Sequence, residues 1–288
     1  MTVDIDALRK WVGRTETADD IVSAFPVAAL GATLDRDDPR PRTGDPLPPL
    51  WHWLYFLPIY RHSDAGPDGH MRRGGFLPPV PLPRRMWAGS RVRFQRPLRV
   101  GDPIRRISTV ADITHKSGRS GDLVFVVVRH EVSADSGIAI AEEHDIVYRE
   151  APRGDTRSAE TTPSVTPAEP DAAWQRVLHP DPLLLFRYSA LTFNGHRIHY
   201  DRSYVTEVEG YPGLVVHGPL LATLMLDLVR RERPDAAVSA FRFRALRPVF
   251  DSAPFTVCGS PDSDAKEIAL WVRGPDGARA MEGSATLA

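Results

Sequence analysis

Val216-His217-Gly218-Pro219-Leu220-Leu221-Ala222-Thr223-Leu224-Met225-Leu226-Asp227-Leu228-Val229-Arg230-Arg231-Glu232-Arg233-Pro234 carries the clearest structural signal in this chain. Pro219 suits the first turn of a helix, where its missing N–H leaves no bond unmade. Leu220, Leu221, Leu224, Met225 and Leu228 recur at helical spacing and form one apolar face. Arg230, Arg231 and Arg233 complement the carbonyl end of the dipole, and Pro234 stops the helix. The spacing predicts an amphipathic helix opening at Gly218.

Strand patterns surround this helix. Phe241-Arg242-Phe243-Arg244-Ala245 alternates apolar and polar, as a half-buried strand does. Residues 268–272 are an apolar run that leads to Pro275-Asp276-Gly277, and 278–287 return from that turn. Earlier in the chain, 124–128 are apolar and mostly β-branched, Asp135-Ser136-Gly137 marks a turn, and 138–148 return. Both read as hairpins with glycine at the turn. One long helix with antiparallel hairpins places the chain in the α+β class.

The chain also reads as two similar halves. Gly75-Phe76-Leu77-Pro78-Pro79-Val80-Pro81-Leu82 lines up with Gly213-Leu214-Val215-Val216-His217-Gly218-Pro219-Leu220, and Arg96-Pro97 with Arg247-Pro248. The two anchors lie further apart in the second half, where the helix sits. The first half is therefore expected to have a shortened or missing central helix. Residues 151–170, rich in Pro, Thr, Ser and Glu and without periodicity, read as a linker between an N-terminal half, 1–150, and a C-terminal half, 171–288.

Composition narrows the function. With 288 residues and 42% hydrophobic content, the chain can build ordinary buried cores. A formal net charge of −1 gives no reason to expect nucleic-acid binding. No apolar run reaches membrane-spanning length, and the first thirty or so residues lack the basic start and apolar core of a secretory signal. The single cysteine, Cys258, excludes an internal disulfide and fits the cytoplasm.

The chemistry concentrates in Thr192-Phe193-Asn194-Gly195-His196-Arg197-Ile198-His199-Tyr200-Asp201. Two histidines, an amide and a carboxylate in ten residues, close in sequence to a helix N-terminus, can hold water and stabilise a developing oxyanion. His199 is the candidate general base or acid, because imidazole titrates near neutrality. Gly218 is the candidate oxyanion donor, because a helix-start N–H is unpaired and glycine lets a substrate oxygen approach. Asp201 either orients His199 or caps the next turn, and His217 lines the pocket or packs. His196, His199 and Asp201 do not match a recognised zinc spacing, and no metal is expected. Arg72, Arg73, Arg84 and Arg85 flank the proline-rich run and suit a phosphate or carboxylate; a solvated basic stretch is the alternative.

The same run resembles the signature of the MaoC-like, (R)-specific enoyl-CoA hydratases, S-G-D-x-N-P-I-H-x-D. Thr192, Phe193, Asn194, His196, Arg197, Ile198, His199 and Asp201 occupy its places. The Ile-His-x-Asp end is intact, while Asn194 stands at the position of the family's catalytic aspartate. This variant, with the run Gly74-Gly75-Phe76-Leu77-Pro78-Pro79-Val80-Pro81-Leu82-Pro83-Arg84-Arg85-Met86-Trp87, is similar to mitochondrial-type 3-hydroxyacyl-thioester dehydratases and to bacterial itaconyl- and mesaconyl-CoA hydratases. The resemblance covers nearly the whole chain.

It implies a double hot-dog fold with antiparallel sheets, a central helix in the C-terminal half and a reduced one in the N-terminal half. It further implies a hydro-lyase adding water to an α,β-unsaturated, short dicarboxylic acyl-CoA. Gly218 would polarise the thioester, His199 would activate water held by Asn194, and His196 would be available for the second role, since an amide takes no proton at neutral pH. Acyl-CoA is the expected partner and no cofactor is expected beyond the CoA of the substrate; a homodimer is left open. Two alternatives remain: a dehydratase working on acyl carrier protein, and a non-catalytic acyl-CoA-binding partner subunit.

Overall fold

In the computed structural model, which describes residues 3–118, 121–150 and 172–288, ten antiparallel strands form one continuous sheet. The N-terminal half contributes β1 (Thr15–Ile21), β2 (Arg84–Phe94), β3 (Pro103–Gly118), β4 (Gly121–Ala134) and β5 (Gly137–Arg149). The C-terminal half contributes β6 (Trp174–Leu178), β7 (Val238–Ala245), β8 (Phe255–Pro261), β9 (Glu267–Arg273) and β10 (Arg279–Leu287). The spatial order is β1-β3-β4-β5-β2-β7-β10-β9-β8-β6, so the halves repeat one order and meet edge to edge. That seam is the β2–β7 ladder, with Ser90 opposite Phe243 and Val92 opposite Phe241.

Both expected hairpins form. Gly137 at φ 103° and Gly277 at φ 82° turn them, a backbone region that glycine occupies without steric cost. The expected linker, 151–170, lies outside the described residues.

Among the described residues four α-helices accompany the sheet: α1 (Ile5–Arg9), α2 (Ala24–Thr33), α3 (Pro182–Leu191) and α4 (Gly218–Glu232). The predicted helix is α4, and it is more buried than an amphipathic pattern suggests. Every residue from 220 to 229 is buried, including Thr223 and Asp227. It packs against β6, β8, β9 and β10, and Tyr188 of α3 meets His217 at its N-terminus, so the 220–229 stretch leaves no face for water. Its one buried charge is compensated: Asp227 accepts from Arg36 Nη1 at 2.7 Å, Arg176 Nη1 at 2.7 Å and Arg231 Nε at 2.8 Å. Arg36 comes from the N-terminal half, so this carboxylate ties the halves together.

The N-terminal half lacks a central helix, as expected, but the equivalent position is not the one the sequence alignment chose. Gln95 and Arg96 both donate to Ala139 O, and Leu246 and Arg247 both donate to Ala280 O, so Arg96-Pro97 and Arg247-Pro248 do correspond. Leu47 N donates to Leu98 O at 2.7 Å, and Val216 N donates to Val249 O at 2.8 Å. Pro46 bridges Arg99 as Val215 bridges Phe250. The stretch before Trp51 thus matches the entry to α4, and the single 3-10 turn Trp51–Leu54 stands where α4 begins. The Gly75–Leu82 punctuation belongs instead to a long segment, 55–83, that follows this stub. In the same half Leu50 holds a left-handed φ of 69°, which ends any helical continuation from the preceding residues.

Beneath the stub the inner sheet face is polar. The buried Glu142 carboxylate accepts from Ser90 Oγ at 3.1 Å and Trp53 Nε1 at 3.1 Å, and His52 Nε2 lies 2.9 Å from it. Further out, Val80 and Leu82 of the proline-rich run close a small core over Val110, Val124, Val126 and Tyr148.

Candidate active site

The signature run leaves α3 and is stitched to the entry of α4. Asp181 caps α3 by accepting from Leu184 N at 2.7 Å, and Pro182 sits in its first turn. Phe193, at φ 48°, turns the chain out of the helix in the left-handed region. The family signature has glycine in this place, and the backbone explains why. Asn194 N then bonds Ser189 O at 2.8 Å, and Asn194 Oδ1 accepts from His196 N at 3.0 Å. The amide oxygen is therefore occupied, and among the described residues Nδ2 is the end left without a partner.

His199 closes a short 3-10 turn, Arg197–His199, and Val215 N bonds Ile198 O at 3.0 Å. Its Nδ1 donates to Val215 O at 2.7 Å, which fixes the tautomer and leaves Nε2 as a lone-pair acceptor. The ring is 7% exposed and stacks on His217 with centroids 3.7 Å apart and planes at 17°. His217, fully buried, bonds Ser189 Oγ through Nε2 at 2.8 Å. It is the residue immediately before Gly218, whose N–H stands in the first turn of α4 and has no intrahelical acceptor. No side chain crowds Gly218: an added Cβ would first meet Met281 Cε at 4.0 Å.

The 55–83 segment completes this cluster from the other half. His70 lies against His196 with centroids 4.1 Å apart, and His196 is 5.4 Å from His199. Asp68 Oδ2 holds His70 Nδ1 at 3.1 Å, and Asp68 Oδ1 accepts from His70 N at 3.0 Å. The two chains approach closely at a pair of glycines. A Cβ on Gly195 would come within 2.8 Å of Gly69 O, and one on Gly69 would run into Gly195 O. Tyr60 secures the crossing by donating to Gly69 O at 2.7 Å.

Electrostatics make this a nest of neutral rings. Burial pushes His199 down to about 4, against the Val215 carbonyl that favours its charged form, and His70 adds repulsion. Burial, reinforced by His70 and His199, takes His196 down to about 2. His217 is held well below its ordinary range by burial and by His199 and His196. His70 is lowered by burial and by the Arg85 cation, with Asp68 working in the opposite direction. Asp68, although burial alone would raise it, is kept well below the carboxylate range by its bonds to His70.

The remaining expected residues separate. Asp201 does not reach His199. It pairs with Arg197, at 2.8 Å to Nη2, and caps the following turn through Tyr204 N at 3.0 Å. Arg73 clamps the proline-rich run, donating to the carbonyls of Val80, Leu82 and Pro83. Arg84 bonds Glu209 and lies over the Tyr211 ring. Arg72 is exposed and bonds only its own loop, at Ala65 O. Arg85 differs. It pairs with no carboxylate among the described residues, bonds Tyr148, and its charge helps lower His70 and His196. Sequence reading missed Asp68 and His70 as site residues, because nothing local marks a loop that crosses to the other half. Asp68, His70 and His196 each offer one ligand atom within 4.8 Å of the others, so this trio, not His196, His199 and Asp201, is the spacing that could admit a cation.

The model of the hydroxyacyl-thioester dehydratase type 2 family matches residues 50–251. The chain belongs to that family. It is 49% identical over 280 residues to a mesaconyl-C(4)-CoA hydratase of Chloroflexus aurantiacus, covering 96% of each chain. It is 28% identical to a mitochondrial hydroxyacyl-thioester dehydratase type 2 of Schizosaccharomyces pombe, over 88% of this chain and 91% of the relative. Among solved structures it superposes on a MaoC-like dehydratase of Phytophthora capsici with a TM-score of 0.70 at 12% identity, covering 99% and 98% of the two chains. A Mycobacterium tuberculosis protein with a double hot-dog fold matches at a TM-score of 0.56 and 14% identity, over 96% of each chain. These neighbours establish the double hot-dog fold, and the family makes this chain an acyl-thioester hydratase or dehydratase. No helix of the described residues is long and apolar enough to cross a membrane.

Proposed function

We propose that this chain hydrates a short α,β-unsaturated acyl-CoA bearing a free carboxylate, of the mesaconyl- or itaconyl-CoA type. The observation that carries the reading is Arg85, a guanidinium without a carboxylate partner among the described residues, facing a nest of neutral histidines. Such a cation suits the second carboxylate of a dicarboxylic acyl group. The 49% identity to a mesaconyl-C(4)-CoA hydratase supports the same substrate class. In this reading the Gly218 N–H draws charge onto the thioester oxygen. His199 Nε2 accepts a proton from water as its oxygen adds to the β-carbon, and the Asn194 amide holds that water. His217 lines the site, and His196, where a charge meets other imidazoles, holds no resting proton. No cofactor beyond the CoA of the substrate enters this scheme, and a cytoplasmic setting fits the lone buried Cys258.

A spectrophotometric panel tests it, following loss of enoyl absorbance on mesaconyl-C4-CoA, itaconyl-CoA, crotonyl-CoA and crotonyl-acyl carrier protein. The expected order puts the dicarboxylic CoA thioesters first. Arg85→Gln is expected to lower kcat/KM on them by about ten- to a hundredfold, the loss of a charge-assisted pair, and to leave crotonyl-CoA nearly unchanged. A parent enzyme that prefers crotonyl-acyl carrier protein, or an Arg85 variant with the same loss on every substrate, overturns the assignment. Light scattering on the eluting protein decides whether the chain also pairs as a homodimer.

A further inference from the structure

Hydration needs a proton taken from water and a proton given to the α-carbon. In the signature run the carboxylate that would share this work is replaced by Asn194, an amide that cannot accept a proton at neutral pH. The crossing segment brings another carboxylate to the same place. Asp68 holds His70 through Nδ1 at 3.1 Å and through the backbone N–H at 3.0 Å, so both carboxylate oxygens serve one residue. That arrangement fixes the ring, leaves Nε2 free, and stabilises the imidazolium whenever it forms. His196 has no such partner and could hold a proton only in passing. Its ring lies 4.1 Å from His70 and 5.4 Å from His199, so it bridges the two. The backbone contact of Gly69 with Gly195 and the Tyr60 hydroxyl on Gly69 O keep the dyad in register with the signature run.

We infer that His70, positioned by Asp68, is the second acid–base residue of the reaction and the one that delivers the α-proton. The inference rests on the hydratase reading above. The water O–H bond breaks as its oxygen bonds the β-carbon, and His199 Nε2 takes the proton. The π electrons move onto the thioester oxygen at Gly218 N–H. The proton passes across His196 to His70, where Asp68 balances the charge, and His70 Nε2 gives it to the α-carbon as the enolate collapses. One water has been added and each residue has returned to its starting state.

His70→Gln keeps size and polarity at a partly exposed position. It is expected to lower kcat on mesaconyl-C4-CoA by about a hundred- to ten-thousandfold with KM within a few fold of the parent. In deuterated water, exchange of the α-hydrogen of the hydrated product is expected to fall in parallel. His70→Ala is expected to recover part of its turnover with added imidazole, which a purely structural role would not allow. Asp68→Asn is expected to lower kcat and leave KM unchanged. A folded His70→Gln that keeps a third or more of the parent kcat overturns the inference, as does loss in KM alone without imidazole rescue. Parent activity lost to a chelator and restored by zinc would also overturn it, making Asp68, His70 and His196 ligands instead. A parent inactive on every thioester defeats the hydratase reading itself and this inference with it, whereas an active parent with an unaffected His70 variant defeats this inference alone.

Discussion

In the C-terminal half α4 buries ten consecutive residues, 220–229, inside the curve of its sheet. In the N-terminal half the equivalent chain makes one 3-10 turn, Trp51–Leu54, over a polar floor centred on Glu142, and then leaves to cross the molecule. The first arrangement fills a sheet with apolar volume and presents a helix N-terminus. The second gives up that helix and gains a loop that carries Asp68 and His70 to the other half's site. A duplicated fold thus divides its labour: one copy supplies the helix start at Gly218 and His199, and the other brings Asp68 and His70 up to His196.

This division can be broken outright. Residues 171–288 expressed alone are expected to be insoluble or inactive, because β7 loses its β2 partner and Asp227 loses Arg36. Soluble, active fragment in a sedimentation and turnover assay would show that the N-terminal half is dispensable.

Replacing His199 by Ala should lower kcat by about a hundred- to ten-thousandfold while substrate still binds. Glu142, the buried charge of the other half, should behave in the opposite way. Glu142→Ala strands His52, Ser90 and Trp53, and is expected to cost on the order of 3–5 kcal/mol in denaturant unfolding with kcat little changed at a temperature where the protein remains folded. A Glu142 variant that stays stable but loses turnover would move chemistry into the N-terminal half.

The pH dependence tests the same buried groups. With His199 pushed down to about 4, the acid limb of kcat/KM is expected near pH 4 rather than near the ordinary imidazole range. Stability should weaken at higher pH than that. His130, His196, His199 and His217 all bind protons less readily folded than unfolded. Below about pH 6.5 the unfolded chain therefore takes up protons that the folded chain refuses, and each such group removes about 1.4 kcal/mol per pH unit until its folded value is reached. Glu142, depressed by His144 and His52 in spite of its burial, adds its own loss as pH falls below the ordinary carboxylate range. An acid limb near 6.5 would mean that His199 titrates in a wetter setting than the folded site provides.

The smallest expected effect concerns Asn194→Asp. Oδ1 can keep its bond from His196 N, so the variant should fold, and its carboxylate should raise the His199 value and shift the acid limb upward. Activity on crotonyl-CoA should be retained or increased, and activity on dicarboxylic substrates reduced by charge repulsion. Equal loss on both substrates would show that the amide is required as such.

Local rules make much of this legible in the sequence. The helix from Gly218, the hairpins at Gly137 and Gly277, and a signature run held next to a helix start all follow from periodicity, turn chemistry and capping, which act over a few residues. The run and the entry to α4 come together because the chain returns after fifteen intervening residues to Val215, whose carbonyl accepts from His199 Nδ1. Tertiary structure decided what pairs at long range. It gave Asp201 to Arg197 and Tyr204, spent Arg73 and Arg84 on carbonyls and Glu209, and left Arg85 facing the site. It also matched Trp51 rather than Pro81 to the start of α4, through strand-edge bonds that no two-residue alignment can register. Asp68 and His70 stayed invisible for the same reason. A backbone crossing between Gly69 and Gly195 is made by contact between segments more than a hundred residues apart, and sequence proximity carries no trace of it.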